Sequence, residues 1–391
     1  VTQTPTAFET RYGFARHAVT LANWRTRPFS AWSFQHVSEM VPSAEIAVPA
    51  GAETYLQPDD LLRETLDLPG GGETVGAFLA RSATDALTVM KRGAFVGDYT
   101  APTMDATAAH LVFSISKSLT AIVAGTLQDE GLLDPHAPAI NTVPEAKGSA
   151  YADATVQQIL DMRVSLDFVE DYLDPESAFA RYRRAMKWNP GGGDEHLLAF
   201  LVSIPKGDGP HGGPFCYRSP NSDLLSVIVE RVSGQRLSDL LHTRVLQKVG
   251  AMGRAMVTVD GEGTPRAAGG VSVTARDLAR VGEMMRNSGM GTAGRVVSED
   301  WIRDTLTGGD KTAWKAGDMA HLLANGAYRN KWYATGTNSG AFCCIGIHGQ
   351  WLYVDPSREV VIVKMSSQAL PVDDALDRDC LAFFDQVAGM V

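Results

Sequence analysis

The sequence predicts an α/β (α+β) protein in which a sheet domain built from the two ends of the chain carries a helical insertion. Three observations predict it. Strand patterns cluster towards both ends, helical patterns fill the middle, and turn-rich glycine and proline stretches separate them. With 391 residues, 45% hydrophobic and 20% charged, the chain can bury one large or two ordinary domains and has no disorder signature. The expected division is residues 1–113 and 268–391 for the α/β part and 114–267 for the mainly helical part.

In chain order, the first eighty or so residues carry Trp24, Trp32 and scattered prolines, with Gly70-Gly71-Gly72 as a loop after the segment Leu61 to Leu68. This reads as an arm wrapped round a domain formed elsewhere. Leu87–Met90 and Ala94–Gly97 flank Lys91-Arg92-Gly93 as a β-hairpin. An apolar run, Leu111-Val112-Phe113, then leads into Leu119, Ile122, Val123 and Leu127 at helical spacing until Gly131. Val156 to Met162 is short and helical, and Asn221–Val232 and Leu237–Val249 form a helical pair divided by Ser233-Gly234. Thr274-Ala275-Arg276-Asp277 resembles a capping box opening a helix with Leu278, Val281 and Met285 on one face. Strands Trp351–Val354 and Val360–Val363 follow, separated by Asp355-Pro356-Ser357, and a last helix, Ala375–Val387, buries Leu376, Leu381, Phe384 and Val387.

Composition narrows the function classes. A formal net charge of -10 argues against nucleic-acid or anionic-membrane binding through a basic surface. Cys216, Cys343, Cys344 and Cys380 show no Cys-x-x-Cys spacing and are too sparse for a disulfide framework. No His or Cys near Cys343-Cys344 completes a four-ligand set, so no metal is expected. No basic head with an apolar stretch opens the chain and no run matches a membrane span, which makes the cytoplasm the expected location. The triple glycines lack the Gly-Lys-Ser/Thr ending of a phosphate loop.

The chemistry-bearing stretch is Phe113-Ser114-Ile115-Ser116-Lys117. Residues three apart share a helix face, so the Lys117 amine reaches the Ser114 hydroxyl, and a partly desolvated lysine is a base able to activate a serine. The competing reading is a helix N-cap followed by a surface lysine. A second Ser-x-x-Lys, Ser203 to Lys206, lies among prolines and glycines and reads as a loop. Tyr217 immediately precedes a helix and could handle a proton, or simply pack. The glycine-interrupted strand edge Cys344-Ile345-Gly346-Ile347-His348-Gly349-Gln350 offers a backbone N–H that, with that of Ser114, would make a two-donor oxyanion hole. His348 is either a base there or part of a hairpin turn.

In order and spacing, Ser114-x-x-Lys117, Tyr217 and the C-terminal glycine-bearing strand resemble the serine β-lactamase and penicillin-binding-protein superfamily. The resemblance is closer to the 6-aminohexanoate-dimer (nylon oligomer) hydrolase branch. Segments that carry it are Glu39–Ala44, Glu170–Pro175, Gly269-Gly270-Val271-Ser272 through Met285, Val296–Trp301 and Gly346–Gln350, across nearly the whole chain. It implies a β-lactamase-like fold: a five-stranded antiparallel sheet flanked by helices, a helical domain covering it, and the active site between them. It also implies Ser114 as nucleophile, Lys117 and Tyr217 sharing the base and acid work, and the N–H groups of Ser114 and Ile347 as oxyanion hole. Tyr172 would be a mobile tyrosine closing over substrate, and His348 lies in the substrate-binding stretch. No cofactor is implied.

Departures bear on the substrate. Tyr217-Arg218-Ser219 replaces the superfamily's Tyr-x-Asn, and Cys344-Ile345-Gly346 stands where β-lactamases carry Lys-Thr-Gly, Lys311-Thr312-Ala313 being a chance match in a loop. Arg181, Arg183 and Arg184 crowd the segment where efficient members of the branch carry an acid, and would oppose a cationic substrate unless they point into water. The expectation is an acyl-enzyme hydrolase of esters and linear short-chain amides of the 6-aminohexanoate-oligomer type. The alternatives are a carboxylesterase without useful amidase activity, a relative acting on D-amino-acid peptides, and a non-catalytic ligand-binding relative. The expected partner is a small ester or amide, without nucleic acid or membrane, and a homodimer is allowed for.

Overall fold

The computed structural model describes residues 5–49 and 51–391. Its main sheet has seven antiparallel strands: β1 (Thr84–Lys91), β2 (Ala94–Thr100), β3 (Ala327–Arg329), β4 (Trp332–Ala334), β5 (Phe342–Gly346), β6 (Gln350–Asp355) and β7 (Val360–Ser366), in the order β3-β4-β5-β6-β7-β1-β2. The two ends of the chain therefore meet where β7 pairs with β1, Ile362 opposite Val89. The short hairpin β3-β4 extends the expected five strands to seven. Each of its strands is only three residues long, too short for a period-2 pattern to show in sequence.

The principal helices are α1 (Ile115–Asp129), α2 (Ala178–Ala185), α3 (Pro220–Ser233), α4 (Ala275–Arg286) and α5 (Asp374–Met390). Both sheet faces are covered, so β6 is apolar at successive positions rather than alternating. Leu352 and Val354 face α4, where a Cβ on Gly282 would come within 2.7 Å of Leu352, so only glycine lets the helix lie this close. Trp351 and Tyr353 face α5, with ring centroids 5.4 and 5.2 Å from Phe384. The Thr274 hydroxyl accepts from the Asp277 N–H and starts α4.

A second antiparallel sheet joins Ser43–Ile46, Ala255–Thr258, Val271–Val273 and His110–Leu111 in that order. Helix α1 leaves this sheet and is buried from Ile115 to Leu127, with α3 on one side and β5 on the other.

Two local expectations are corrected. Gly71 and Gly72 are not a loop but open the strand Gly71–Thr74, paired with Thr65–Leu68. Lys311-Thr312-Ala313 lies in a short helix, Lys311–Lys315, because the Asp310 carboxylate accepts from the N–H groups of Thr312 and Ala313. All four cysteines are free thiols. Among the described residues, no helix is long and apolar enough to cross a membrane.

Candidate active site

Ser114 sits where the second sheet hands the chain to α1. The Val112 N–H donates to the Val271 carbonyl at 2.9 Å, and Phe113 then takes a left-handed φ of 43°, a conformation that costs a side-chain-bearing residue about 1–3 kcal/mol. Phe34, His348 and Trp188, with ring centroids 4.8, 5.4 and 6.0 Å away, hold the Phe113 ring in place. The kink turns Ser114 out at the head of α1, where its side chain caps no backbone N–H.

Lys117, one turn on, is only 1% exposed. Its Nζ donates to Ser114 Oγ at 2.8 Å and to the Ala268 carbonyl at 2.5 Å. Burial brings its pKa down to about 7, with the nearby Arg266 charge acting the same way and Glu170 and Asp223 opposing. A large fraction of molecules thus hold a neutral amine against the hydroxyl at neutral pH. The surface-lysine reading of this residue falls on its burial. It does describe the second Ser-x-x-Lys: Lys206 bonds Asp153 at the surface and the Ser203 hydroxyl donates to the Phe200 carbonyl.

Tyr217 approaches from the other side. Phe215 anchors its segment among Trp314 and Tyr328, and the Phe215 and Cys216 N–H groups donate to the Ala313 and Met162 carbonyls. Lys117 Nζ lies 4.9 Å from the centre of the Tyr217 ring. Burial first, and then the Glu170 carboxylate, raise the phenol pKa above the ordinary tyrosine range, while a hydrogen bond with Ser114 pulls the other way. The phenol is protonated at rest.

A Cβ on Gly346 would lie 2.6 Å from the Val112 carbonyl, so glycine lets the end of β5 close onto the residues leading to Ser114. Ile347 follows, lining the cleft with Ser114. Among the described residues, neither the Ser114 nor the Ile347 N–H finds a partner in the turns and loops. His348, at φ 60°, is in the hairpin turn with Gly349. Its ring is buried, Nδ1 lies 2.8 Å from the Gln368 carbonyl, and burial takes its pKa down to about 4. Its imidazole is neutral and braces the turn against Phe34 and Phe113.

Tyr172 donates to Glu170 at 2.7 Å and packs edge-on against Phe179. Glu170 also accepts from the Ser219 N–H and hydroxyl, at 2.7 and 2.6 Å. Ser219 thus ties the Tyr172 loop to the head of α3. Glu170 and Ser219 carry no assignment from the sequence, although Glu170 opens one of the segments that carry the resemblance. Beneath them, buried Arg266 donates to Asp223 and Tyr182, the Tyr182 hydroxyl donates to Asp223, and Asp223 accepts the Ala268 N–H. No spacing pattern reveals this cluster, because its members come from separate parts of the chain.

Two cavities, of about 210 and 260 Å³, meet at Ser114, and Glu170, Tyr172 and Ile347 line both. Arg25, Arg183, Trp188 and His348 line the first, and Tyr217, Asp318, Asp374 and Asp377 the second. Of the three clustered arginines, Arg181 pairs with Glu195 at the surface and Arg184 donates to the Pro175 carbonyl. Only Arg183 lines the cleft, joined there by Arg25 from the N-terminal arm. The arrangement unites a serine hydroxyl, a buried amine, a protonated phenol and two unpartnered N–H groups, which are the components acyl transfer through an oxyanion would require.

The beta-lactamase family profile matches residues 72–383. A 6-aminohexanoate-dimer hydrolase from Paenarthrobacter ureafaciens is 38% identical over 362 residues, 91% of this chain and 90% of that protein. In fold, the chain matches a Bacillus anthracis structure described as a candidate 6-aminohexanoate-dimer hydrolase, with TM-score 0.86 and 22% identity over 96% of this chain and 98% of that one. A family VIII carboxylesterase matches with TM-score 0.58 and 16% identity, over 79% of this chain and 95% of that one.

Proposed function

Because the chain belongs to the beta-lactamase family, we propose that it is a serine hydrolase cleaving esters and linear short-chain amides, of the 6-aminohexanoate-oligomer kind, through an acyl-enzyme on Ser114. The observation that carries this reading is the 2.8 Å contact of a buried Lys117 amine, with pKa about 7, with the Ser114 hydroxyl.

Neutral Lys117 takes the Ser114 proton as Oγ bonds to the substrate carbonyl carbon. The carbonyl oxygen becomes an oxyanion and rests on the N–H groups of Ser114 and Ile347. As the tetrahedral species collapses, the bond to the leaving nitrogen or oxygen breaks. The Tyr217 phenol supplies that atom's proton, and charged Lys117 reprotonates the phenolate. Water then attacks the ester, giving its proton to Lys117, and the acid departs with Ser114 restored. Tyr172, beside Glu170 at the junction of both cavities, is placed to bond the scissile group. His348 lines the substrate cavity as a neutral wall and is not the base.

A carboxylesterase with little amidase activity is the second reading. The raised pKa of Tyr217 favours it, since such a phenol is a weak acid towards an amine leaving group. The two are separated by turnover of a p-nitrophenyl ester beside the 6-aminohexanoate dimer. Fluorophosphonate labelling with peptide mapping tests the mechanism common to both: modification is expected at Ser114, and labelling elsewhere, or full ester turnover in Ser114→Ala, would sink it.

A further inference from the structure

The first cavity is lined by three guanidiniums, Arg25, Arg183 and Arg266, and by one carboxylate, Glu170; Arg266 pairs with Asp223, which leaves Arg25 and Arg183 without an acid of their own. Arg25 comes from the N-terminal arm and Arg183 from α2, and both line the wall that Ser114 also lines. Arg25 donates to the Trp188 carbonyl at 3.0 Å and to the Asn189 side-chain oxygen at 2.5 Å, which leaves the rest of its five N–H donors unused. Arg183 rests on the Phe179 ring, 5.0 Å from its centre. Among the described residues its guanidinium donates no hydrogen bond, and neither arginine has a carboxylate within ion-pairing distance, whereas Arg181, Arg218 and Arg266 each do. Glu170, the carboxylate lining this cavity, already accepts three hydrogen bonds, from Tyr172 and Ser219.

Two like charges in one half-buried wall, each with part of its water removed, are unfavourable unless something compensates them. Each guanidinium is destabilised: burial and then the Arg183 charge bring Arg25 down to about 9, and burial also lowers Arg183. The second cavity is lined by Asp318, which pairs with Arg218, by Asp374, beside His321, and by Asp377, whose carboxyl pKa is raised by burial to about 7. Tyr217 lines the second cavity and not the first. The proton donor to the leaving group thus stands on that side, and the acyl chain extends into the side with the arginines.

We infer that Arg25 and Arg183 form a carboxylate subsite for the acyl chain, so that the favoured substrates are monoesters and monoamides of linear dicarboxylic acids. A guanidinium pair takes a carboxylate through parallel N–H donors, and the charge it supplies is the one the cavity lacks. This inference rests on the acyl-transfer reading above and, within it, puts a carboxylate in place of the ammonium of a 6-aminohexanoyl group at the far end of the acyl chain.

The test uses three p-nitrophenyl esters of six-carbon acyl chains: the adipate monoester, the hexanoate and the 6-aminohexanoate. The wild type is expected to favour the adipate monoester over the 6-aminohexanoate by about tenfold or more in kcat/KM, a preference that shrinks with added salt. Arg183→Met should bring the adipate-to-hexanoate ratio down towards one, Arg183→Lys should retain part of it, and Arg183→Glu should reverse it. Calorimetric binding of adipate to Ser114→Ala supplies a readout independent of turnover, expected to weaken at least fivefold when Arg183→Met is added. Turnover of the hexanoate ester without an adipate preference, or a preference indifferent to Arg183, overturns the subsite and leaves the hydrolase standing. Arg183-dependent adipate binding with no ester turned over upholds the subsite and overturns the hydrolase.

Discussion

The Ala268 carbonyl accepts a 2.5 Å hydrogen bond from Lys117 Nζ while the Ala268 N–H donates to Asp223. One residue therefore connects the Lys117 amine to a buried ionic cluster. Lys117 is aimed at Ser114 by this contact and kept dry by what surrounds it. If the amine is the base, Lys117→Ala should lower kcat/KM on a p-nitrophenyl ester by roughly 10²–10⁴, with the circular dichroism of the folded chain retained. Full activity in this variant would remove the serine-lysine mechanism.

The proposed reaction needs neutral Lys117, whose pKa burial brings down to about 7. Below that pH, kcat/KM is expected to fall about tenfold per unit, and above it to level off. A flat profile between pH 6 and 8 would contradict the assignment.

The same shift has a consequence for stability. The folded-state pKa lies below the ordinary 10.5, so between about 7 and 10.5 the unfolded chain binds the extra proton. This residue therefore makes stability rise with pH across that window, by up to about 1.4 kcal/mol per unit. Lys117→Met should be more stable than the wild type at pH 7, by thermal melting, with the gain fading towards pH 10.

Tyr217 is protonated at rest and is proposed as the acid. Tyr217→Phe should lower kcat on the 6-aminohexanoate dimer by about 10² or more. On a p-nitrophenyl ester, whose leaving group departs without a proton, it should lower kcat much less. Equal losses on both would assign Tyr217 to positioning.

Gly346→Ala places a methyl group 2.6 Å from the Val112 carbonyl and must push Ile347 away from Ser114. Loss of one oxyanion donor corresponds to about 10²–10³ in kcat. Fluorophosphonate labelling should slow in parallel while the melting temperature changes little; an unaffected rate would take the Ile347 N–H out of the oxyanion hole.

Asp223 is fully buried against Arg266 and Tyr182. Asp223→Ala leaves a buried guanidinium unpaired, a loss of about 3–5 kcal/mol, to be read from urea unfolding. A change below 1 kcal/mol would show that Arg266 finds another partner.

Much of this was legible in the chain, and what was legible is local. The hairpin Thr84–Thr100, the strands at Trp351 and Val360, helix α4 with its Thr274 cap and helix α5 announce themselves through period, turn residues and caps. The three-residue strands Ala327–Arg329 and Trp332–Ala334 do not, because they hold too few residues to show a period. Gly71 and Gly72 look like a loop because strand formation there depends on pairing with Thr65–Leu68 rather than on intrinsic preference.

The site divides in the same way. Sequence by itself determined that Ser114 and Lys117 share a helix face, since a three-residue spacing does so in any α-helix, and that Gly346 permits close approach. It determined neither the state of the amine nor the sign of the cleft. Desolvation and charge depend on atoms that only folding brings together: Ala268, Arg266 and Glu170 around Lys117, and Arg25 beside Arg183 while Arg181 turns to Glu195. The tertiary structure decided those, because an electrostatic field falls off with distance in space and takes no account of distance along the chain.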